Sequence, residues 1–194
     1  MFDIPCVIFA GGKSSRMGQD KALLPFGNYP SLAQYQYERL KQLFSHVYIS
    51  AKNRDKFTFN PYVIEDPTNC DFAPTAGFVA VFDHLECDRI FVLGVDTPFV
   101  DETVIQKLLD ADASQYNAIV AKTSSGTHPM TGIYHRSLLG ELKRMLNDGD
   151  HRLGKLLSSV KTQYVQFPFE EPFSNLNHPN EYEEAVSRYN NTNK

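Results

Sequence analysis

Val7-Ile8-Phe9-Ala10-Gly11-Gly12-Lys13-Ser14-Ser15-Arg16-Met17-Gly18-Gln19-Asp20-Lys21 is the stretch on which the reading of this chain turns. The apolar run from Cys6 to Ala10 reads as a buried strand. It breaks at two glycines, and a polar loop follows with three cations, Lys13, Arg16 and Lys21. Glycines let backbone approach a ligand closely, and their amides can cradle phosphate oxygens. Cations crowded into one short loop repel one another unless an anion neutralises them. The stretch therefore reads as a polyphosphate site at the carboxyl end of the first strand of an α/β sheet. It is not a Walker A loop, because Gly12 and Gly18 are one residue too far apart and Gln19 follows where Lys is required. The dinucleotide fingerprint G-x-G-x-x-G is also absent.

Working outward, strand and helix signals alternate along the chain. Pro25 to Pro30 is rich in turn residues, and Ser31 is a natural N-cap. Leu32, Tyr35, Leu40, Leu43 and Phe44 then mark a helix. His46 to Ala51 reads as the second strand, and Lys52 to Lys56 as a solvated loop or short helix. Tyr62 to Glu65 is a third, short strand ending at Asp66-Pro67. A loop reaches Gly77, and Phe78, Val81, Phe82 and Leu85 form the stripe of the next helix. Arg89 to Val95 is almost wholly apolar, as a strand covered on both faces must be. Asp101-Glu102-Thr103 opens a helix with acids at its N-terminus, where the dipole favours them.

Asn117 to Ala121 is a strand, and His128 to Tyr134 is its antiparallel neighbour. Leu138 to Leu146 is amphipathic, and a shorter helix lies around Leu153 to Leu157. Thr162 to Phe167 reads as a late strand, Pro168 to Pro179 as a loop, and Tyr182 to Tyr189 as a last helix before a polar, frayed tail from Asn190. Such alternation predicts a three-layer α/β/α domain, Rossmann-like, with a mostly parallel sheet containing an antiparallel strand. Neither repeat nor linker interrupts residues 1 to 194, so the expectation is a single domain.

Composition narrows the function classes. The 42% hydrophobic and 22% charged content is ordinary for a globular protein. A net charge of −4 argues against a protein that coats nucleic acid, though it leaves room for a local basic pocket. Cys6, Cys70 and Cys87 form no C-x-x-C pair, so neither a disulfide framework nor a structural zinc site is expected, and Cys6 and Cys87 read as small apolar residues. No basic, apolar leader and no apolar run near the roughly 20 residues that span a bilayer is present. The expectation is a cytoplasmic protein with no membrane or nucleic-acid partner.

Several polar residues fall where strands end, and in a doubly wound sheet those ends converge on one crevice. Ser50 and Lys52 end or follow the second strand, Asp66 the third and Asp96 the central one. Asp96 directly follows an apolar run, where an uncompensated charge would be costly. Either a divalent metal bridging to phosphates compensates it, or it caps the next helix or braces the Thr97-Pro98 turn. Asp66 precedes Pro67 and has the alternative role of a turn starter. His128, before Pro129, reads from its surroundings as a structural histidine, and Asn175 and Asn177 can serve as loop-stabilising side chains.

The opening stretch resembles the signature loop of the MobA-like nucleotidyltransferases, [LF]-A-G-G-x-S-x-R-M-G-x-D-K. Further matches follow in order: Val63-Ile64-Glu65-Asp66, Ala73-Pro74-Thr75-Ala76-Gly77, Asp96-Thr97-Pro98, His128-Pro129, and Asn175-Leu176-Asn177-His178-Pro179-Asn180-Glu181. Together they span residues 7 to 181 and resemble most the molybdenum cofactor guanylyltransferase family. The resemblance implies a nucleotide-diphospho-sugar transferase type of fold and transfer of GMP from GTP to a molybdopterin-type acceptor, with Mg²⁺ as cofactor. It also implies proteins that deliver the acceptor or receive the product. By the same resemblance Phe9, Ala10, Gly11 and Gly12 contact base and phosphates, and Pro74 to Gly77 flank the guanosine. Asp66 belongs to the nucleotide site and Asp96 binds Mg²⁺ and nucleotide. Arg16 and Lys21 stabilise phosphate charge, while His128, Asn175 and Asn177 lie toward the pterin. The chain departs from the pattern at Ser50, where Asn commonly contacts nucleotide, at Ala73 for Gly, and at His178 for Thr. A cytidylyltransferase, a sugar-1-phosphate nucleotidylyltransferase and a nucleotide-binding adaptor are the competing readings.

Overall fold

The computed structural model describes residues 1–12, 17–67 and 73–192. Seven strands form one sheet: β1 (Cys6–Phe9), β2 (Val47–Ala51), β3 (Val63–Glu65), β4 (Arg89–Gly94), β5 (Ala118–Lys122), β6 (Thr127–His135) and β7 (Thr162–Gln166). Their order across the sheet is β3-β2-β1-β4-β6-β5-β7. β1 pairs in parallel with β2 and β4, β2 with β3, and β5 with β7. Among the described strands only β6 runs against its neighbours, β4 and β5. The expected antiparallel pair of β5 and β6 is present. Sequence order does not reveal that β6 also inserts between β4 and β5.

Among the described residues six α-helices cover the sheet: α1 (Leu32–Leu40), α2 (Pro74–His84), α3 (Glu102–Asp110), α4 (Leu139–Asn147), α5 (Leu153–Ser159) and α6 (Pro179–Thr192). Side chains alternate along each strand, so the sheet has two covered faces. Cys6, Ile8, Phe91 and Leu93 pack on one face with Leu32 and Leu40 of α1, Ile105 and Leu108 of α3, and Ala185 of α6. Val7, Ile90 and Val92 pack on the other with Phe78 and Phe82 of α2, Leu142 of α4 and Leu156 of α5. This is the three-layer α/β/α architecture. Cys6 is fully buried and burial pushes its thiol up, as expected of a small apolar residue. Cys87 is half-buried.

Three local readings change. α2 begins at Pro74 rather than near Phe78. Proline has no N–H to lose at the first helical position, so Ala-Pro-Thr-Ala-Gly starts the helix instead of preceding it. α6 starts at Pro179 and continues to Thr192, taking in Asn190. Its start is fixed by the Glu181 carboxylate, which accepts from the amides of Asn177 (2.6 Å) and His178 (2.8 Å), half of a capping box. The expected short helix is present at Arg54–Lys56, but Lys56 itself is half-buried: its Nζ donates to the Ala10 carbonyl (2.9 Å) and to Asp20 (2.8 Å).

The chain leaves β1 for β2 and β3 on one side, then returns through α2 to β4 on the other. The switch point lies between the carboxyl ends of β1 and β4, where α/β sheets place their ligands.

Candidate active site

At that switch point lies a cleft of about 190 Å³. Phe9, Ala10, Gly11 and Gly12 form its floor, Asp66, Ala73 and Pro74 one side, and Lys21, Asp96 and Met130 the other. Each wall follows from local folding. At Gly11 the backbone after β1 passes close to Asp66: a Cβ there would lie 3.1 Å from Asp66 Oδ2. The turn that carries Lys21 is capped by Asp20, which accepts from the Ala22 amide at 3.0 Å. Gly94 closes β4 beside Asp96, and a Cβ there would sit 2.7 Å from Asp96 Oδ1.

Asp96 is compensated by Lys21, whose Nζ donates to Asp96 Oδ2 at 2.6 Å. The alternative role of helix cap falls to Asp101, which accepts from the Val104 amide at 2.9 Å. Thr97 braces the turn, donating from its own amide (3.3 Å) and hydroxyl (2.9 Å) to the Gly94 carbonyl. The Asp96 carboxylate is therefore committed to Lys21 and the cleft.

Asp66 sits in a different environment. It is buried and accepts from Ser50 Oγ at 2.9 Å. Desolvation pushes its carboxyl above the ordinary value, and the Ser50 hydrogen bond and the charges of Lys52 and Lys56 pull it partly back. Ser50 stands behind Asp66 rather than on the cleft wall. Gly77 lies there too: a Cβ would come within 2.8 Å of Ser50 Oγ and 2.9 Å of the Phe9 ring. Ser50 and Gly77 thus shape the cleft through Asp66 and Phe9, whereas Pro74 lines it directly.

A second cleft, also about 190 Å³, adjoins the first and shares Asp96 and Met130 with it. Its walls carry Thr97, Thr127, His128, Thr131, Asn175 and Asn177. His128 is held by Thr123 Oγ1 (2.9 Å) and stacked on Phe173, and burial lowers its pKa. Asn177 reaches the junction, accepting from Lys21 Nζ at 3.0 Å. Lys21 therefore touches the defining side chain of each cleft. Arg16 and Lys13 lie outside the described residues. Lys56 and Met130 are site neighbours that sequence reasoning missed. Lys56 hid in a charged run, and nothing in the sequence around Met130 sets it apart.

The model of the MobA-like NTP transferase domain matches residues 6–165. The chain belongs to the MobA-like NTP transferase family. The molybdenum cofactor guanylyltransferase of Campylobacter jejuni subsp. jejuni serotype O:6 is 39% identical over 186 residues, 95% of this chain and 96% of the relative. The enzyme of the same name from Helicobacter pylori strain J99 is 36% identical over 189 residues, 95% and 88% of the two chains. In fold, the chain resembles molybdopterin-guanine dinucleotide biosynthesis protein A from Archaeoglobus fulgidus, with a TM-score of 0.83, 18% identity, and 97% and 100% of the chains covered. A MobA-like NTP transferase is a nucleotidyltransferase. Among the described residues no helix is long and apolar enough to cross a membrane.

Proposed function

We propose that this protein transfers GMP from GTP to the terminal phosphate of a molybdopterin-type acceptor and releases pyrophosphate. Two clefts meeting at Asp96 carry the reading. One is glycine-floored with a carboxylate and a lysine, suited to a nucleoside triphosphate. The other is lined by amides and hydroxyls, suited to a polar heterocycle. The names of the two bacterial relatives supply the base and the acceptor.

In the reaction, an acceptor phosphate oxygen attacks the α-phosphorus of GTP. The bond to the bridging oxygen of the β-phosphate breaks, and pyrophosphate leaves with that electron pair. The nucleophile is already anionic, so the protein need not supply a general base. Its work is positioning and charge neutralisation. The backbone of Phe9 to Gly12 and the side chain of Asp66 seat the guanosine. Lys21 stabilises phosphate charge at the junction, with Arg16 in the same role from the signature loop.

Among the described residues no group of three or more His, Cys, Asp or Glu side chains is placed to hold a metal. A single carboxylate at the cleft junction fits Mg²⁺, which takes one or two carboxylates and fills its remaining positions with phosphate oxygens and water. When bound at Asp96, the ion would supply Lewis-acid polarisation of the α-phosphate. Asp20, held by Lys56 and capping the turn that begins at Lys21, orients that lysine. We read residues 1 to 194 as one catalytic domain working in the cytoplasm, with proteins that bring the acceptor or collect the product as its partners.

The test is pyrophosphate release with molybdopterin and Mg²⁺ in the presence of GTP, CTP, ATP or UTP. GTP alone should support turnover. Release with CTP and not GTP would overturn the guanylyl assignment. Tight GTP binding without pyrophosphate release would favour an adaptor that hands on a nucleotide or cofactor.

A further inference from the structure

One inward residue of α1 is polar. Gln36 lies one turn from Leu32 and one from Leu40, on the face that packs against the sheet, and it is fully buried. Its Nε2 donates to the carbonyls of Val95 (3.2 Å) and Gly94 (3.5 Å). Its Oε1 accepts from Arg39 Nε (2.8 Å), and Arg39 Nη1 donates to the Val100 carbonyl (2.8 Å). The segment from Gly94 to Val100, which carries Asp96, is therefore gripped at both ends from one helix. The Leu176 amide also donates to the Asp96 carbonyl, at 3.1 Å.

Neither Gln36 nor Arg39 lines either cleft. Stability alone explains them poorly. A buried amide–guanidinium network costs desolvation, and apolar side chains of the same shape can replace such groups almost neutrally. This network is also incomplete, because Arg39 Nη2 is buried with no hydrogen-bond partner among the described residues. What the network does achieve is to fix the end of β4 and the turn after it.

We propose that Gln36, backed by Arg39, is a positioning residue that sets the Asp96 carboxylate at the junction of the two clefts. The proposal rests on the assignment of Asp96 to the metal–nucleotide site.

Two variants of the full chain separate positioning from packing. Gln36→Met keeps length and volume but removes the amide. Gln36→Glu keeps an acceptor for Arg39 and loses the donor to Gly94 and Val95. GTP affinity is measured by calorimetry in EDTA and again with Mn²⁺ as the metal probe, alongside the melting temperature. In both variants the Mn²⁺-dependent gain in affinity should fall by about tenfold or more, with the EDTA affinity within about twofold of the parent. Variants that keep the Mn²⁺ gain, whether or not they melt earlier, overturn the proposal and leave Gln36 a packing residue. No Mn²⁺ gain in the parent overturns the assignment of Asp96, and the proposal with it. Should Gln36→Met fail to fold, Gln36→Glu carries the test, since its carboxylate pairs with Arg39.

Discussion

Asp66 and Asp96 follow parallel strands of one sheet and face one cleft, yet they are supported in opposite ways. Asp96 is held by a lysine ammonium, so its charge is matched. Asp66 is held by a serine hydroxyl and raised by desolvation, which the charges of Lys52 and Lys56 only partly offset. A carboxylate paired with an ammonium suits exchange with other cations. A desolvated carboxylate leaning on a neutral donor suits hydrogen-bond recognition. The same residue type thus serves two chemistries, and the neighbour decides which.

Identical substitutions at the two positions should expose that difference. Asp96→Asn keeps shape and removes charge. It should lower guanylyl transfer by about 10³-fold, read as pyrophosphate release, with little change in melting temperature. A similar loss from Asp66→Asn would erase the distinction. Lys21→Met removes the cation at the junction and should cost about 10²-fold in kcat, with the fold retained by circular dichroism. Near-normal turnover would show that Lys21 only pairs with Asp96 and does not act on phosphate.

Gly77→Ala strikes the Asp66 side alone. The new Cβ meets Ser50 and the Phe9 ring in a packed core, so destabilisation by about 1–3 kcal/mol is expected by denaturant titration. Unchanged stability would mean that the Ser50–Asp66 pair has slack.

The smallest effect is a pH dependence. Because the carboxyl of Asp66 is raised in the folded protein, the native state binds its proton more tightly than the unfolded chain does. Stability from this group is complete below the ordinary value of 3.8 and is lost as pH rises through the raised value. Asp66→Asn should therefore melt slightly higher than the parent at neutral pH, and the gap should close as pH falls toward 3.8. A gap independent of pH would locate the effect elsewhere than in the charge.

The strands were legible because burial on both faces writes continuous apolar runs, as in Ile90 to Leu93. Their polar endings, Asp66 and Asp96, were legible for the same reason. Which residue compensates Asp96 was not, since an ion pair between positions 21 and 96 leaves no local pattern. The sequence left a metal, a helix cap and a turn brace open for Asp96, and the folded chain adds Lys21 beside it. Pro74 to Gly77 read as a loop because proline and glycine punctuate most chains, although a first-turn proline fits a helix equally well. Gln36 did leave a signal: a polar residue between Leu32 and Leu40, four positions from each, interrupts the buried stripe of α1. Ser50 was visible as a strand-end hydroxyl, but its partner was not.

Lys21 takes one partner 75 residues downstream and another 156 residues downstream. Such separations give the junction a large loop-closure cost and place it among the later parts to be completed as the chain emerges during synthesis. The glycine floor and Asp66 are available early. The wall at Asn177 waits for Glu181 to emerge and cap α6. A growing chain therefore has its glycine-rich first turn long before the residues that complete the junction around Lys21.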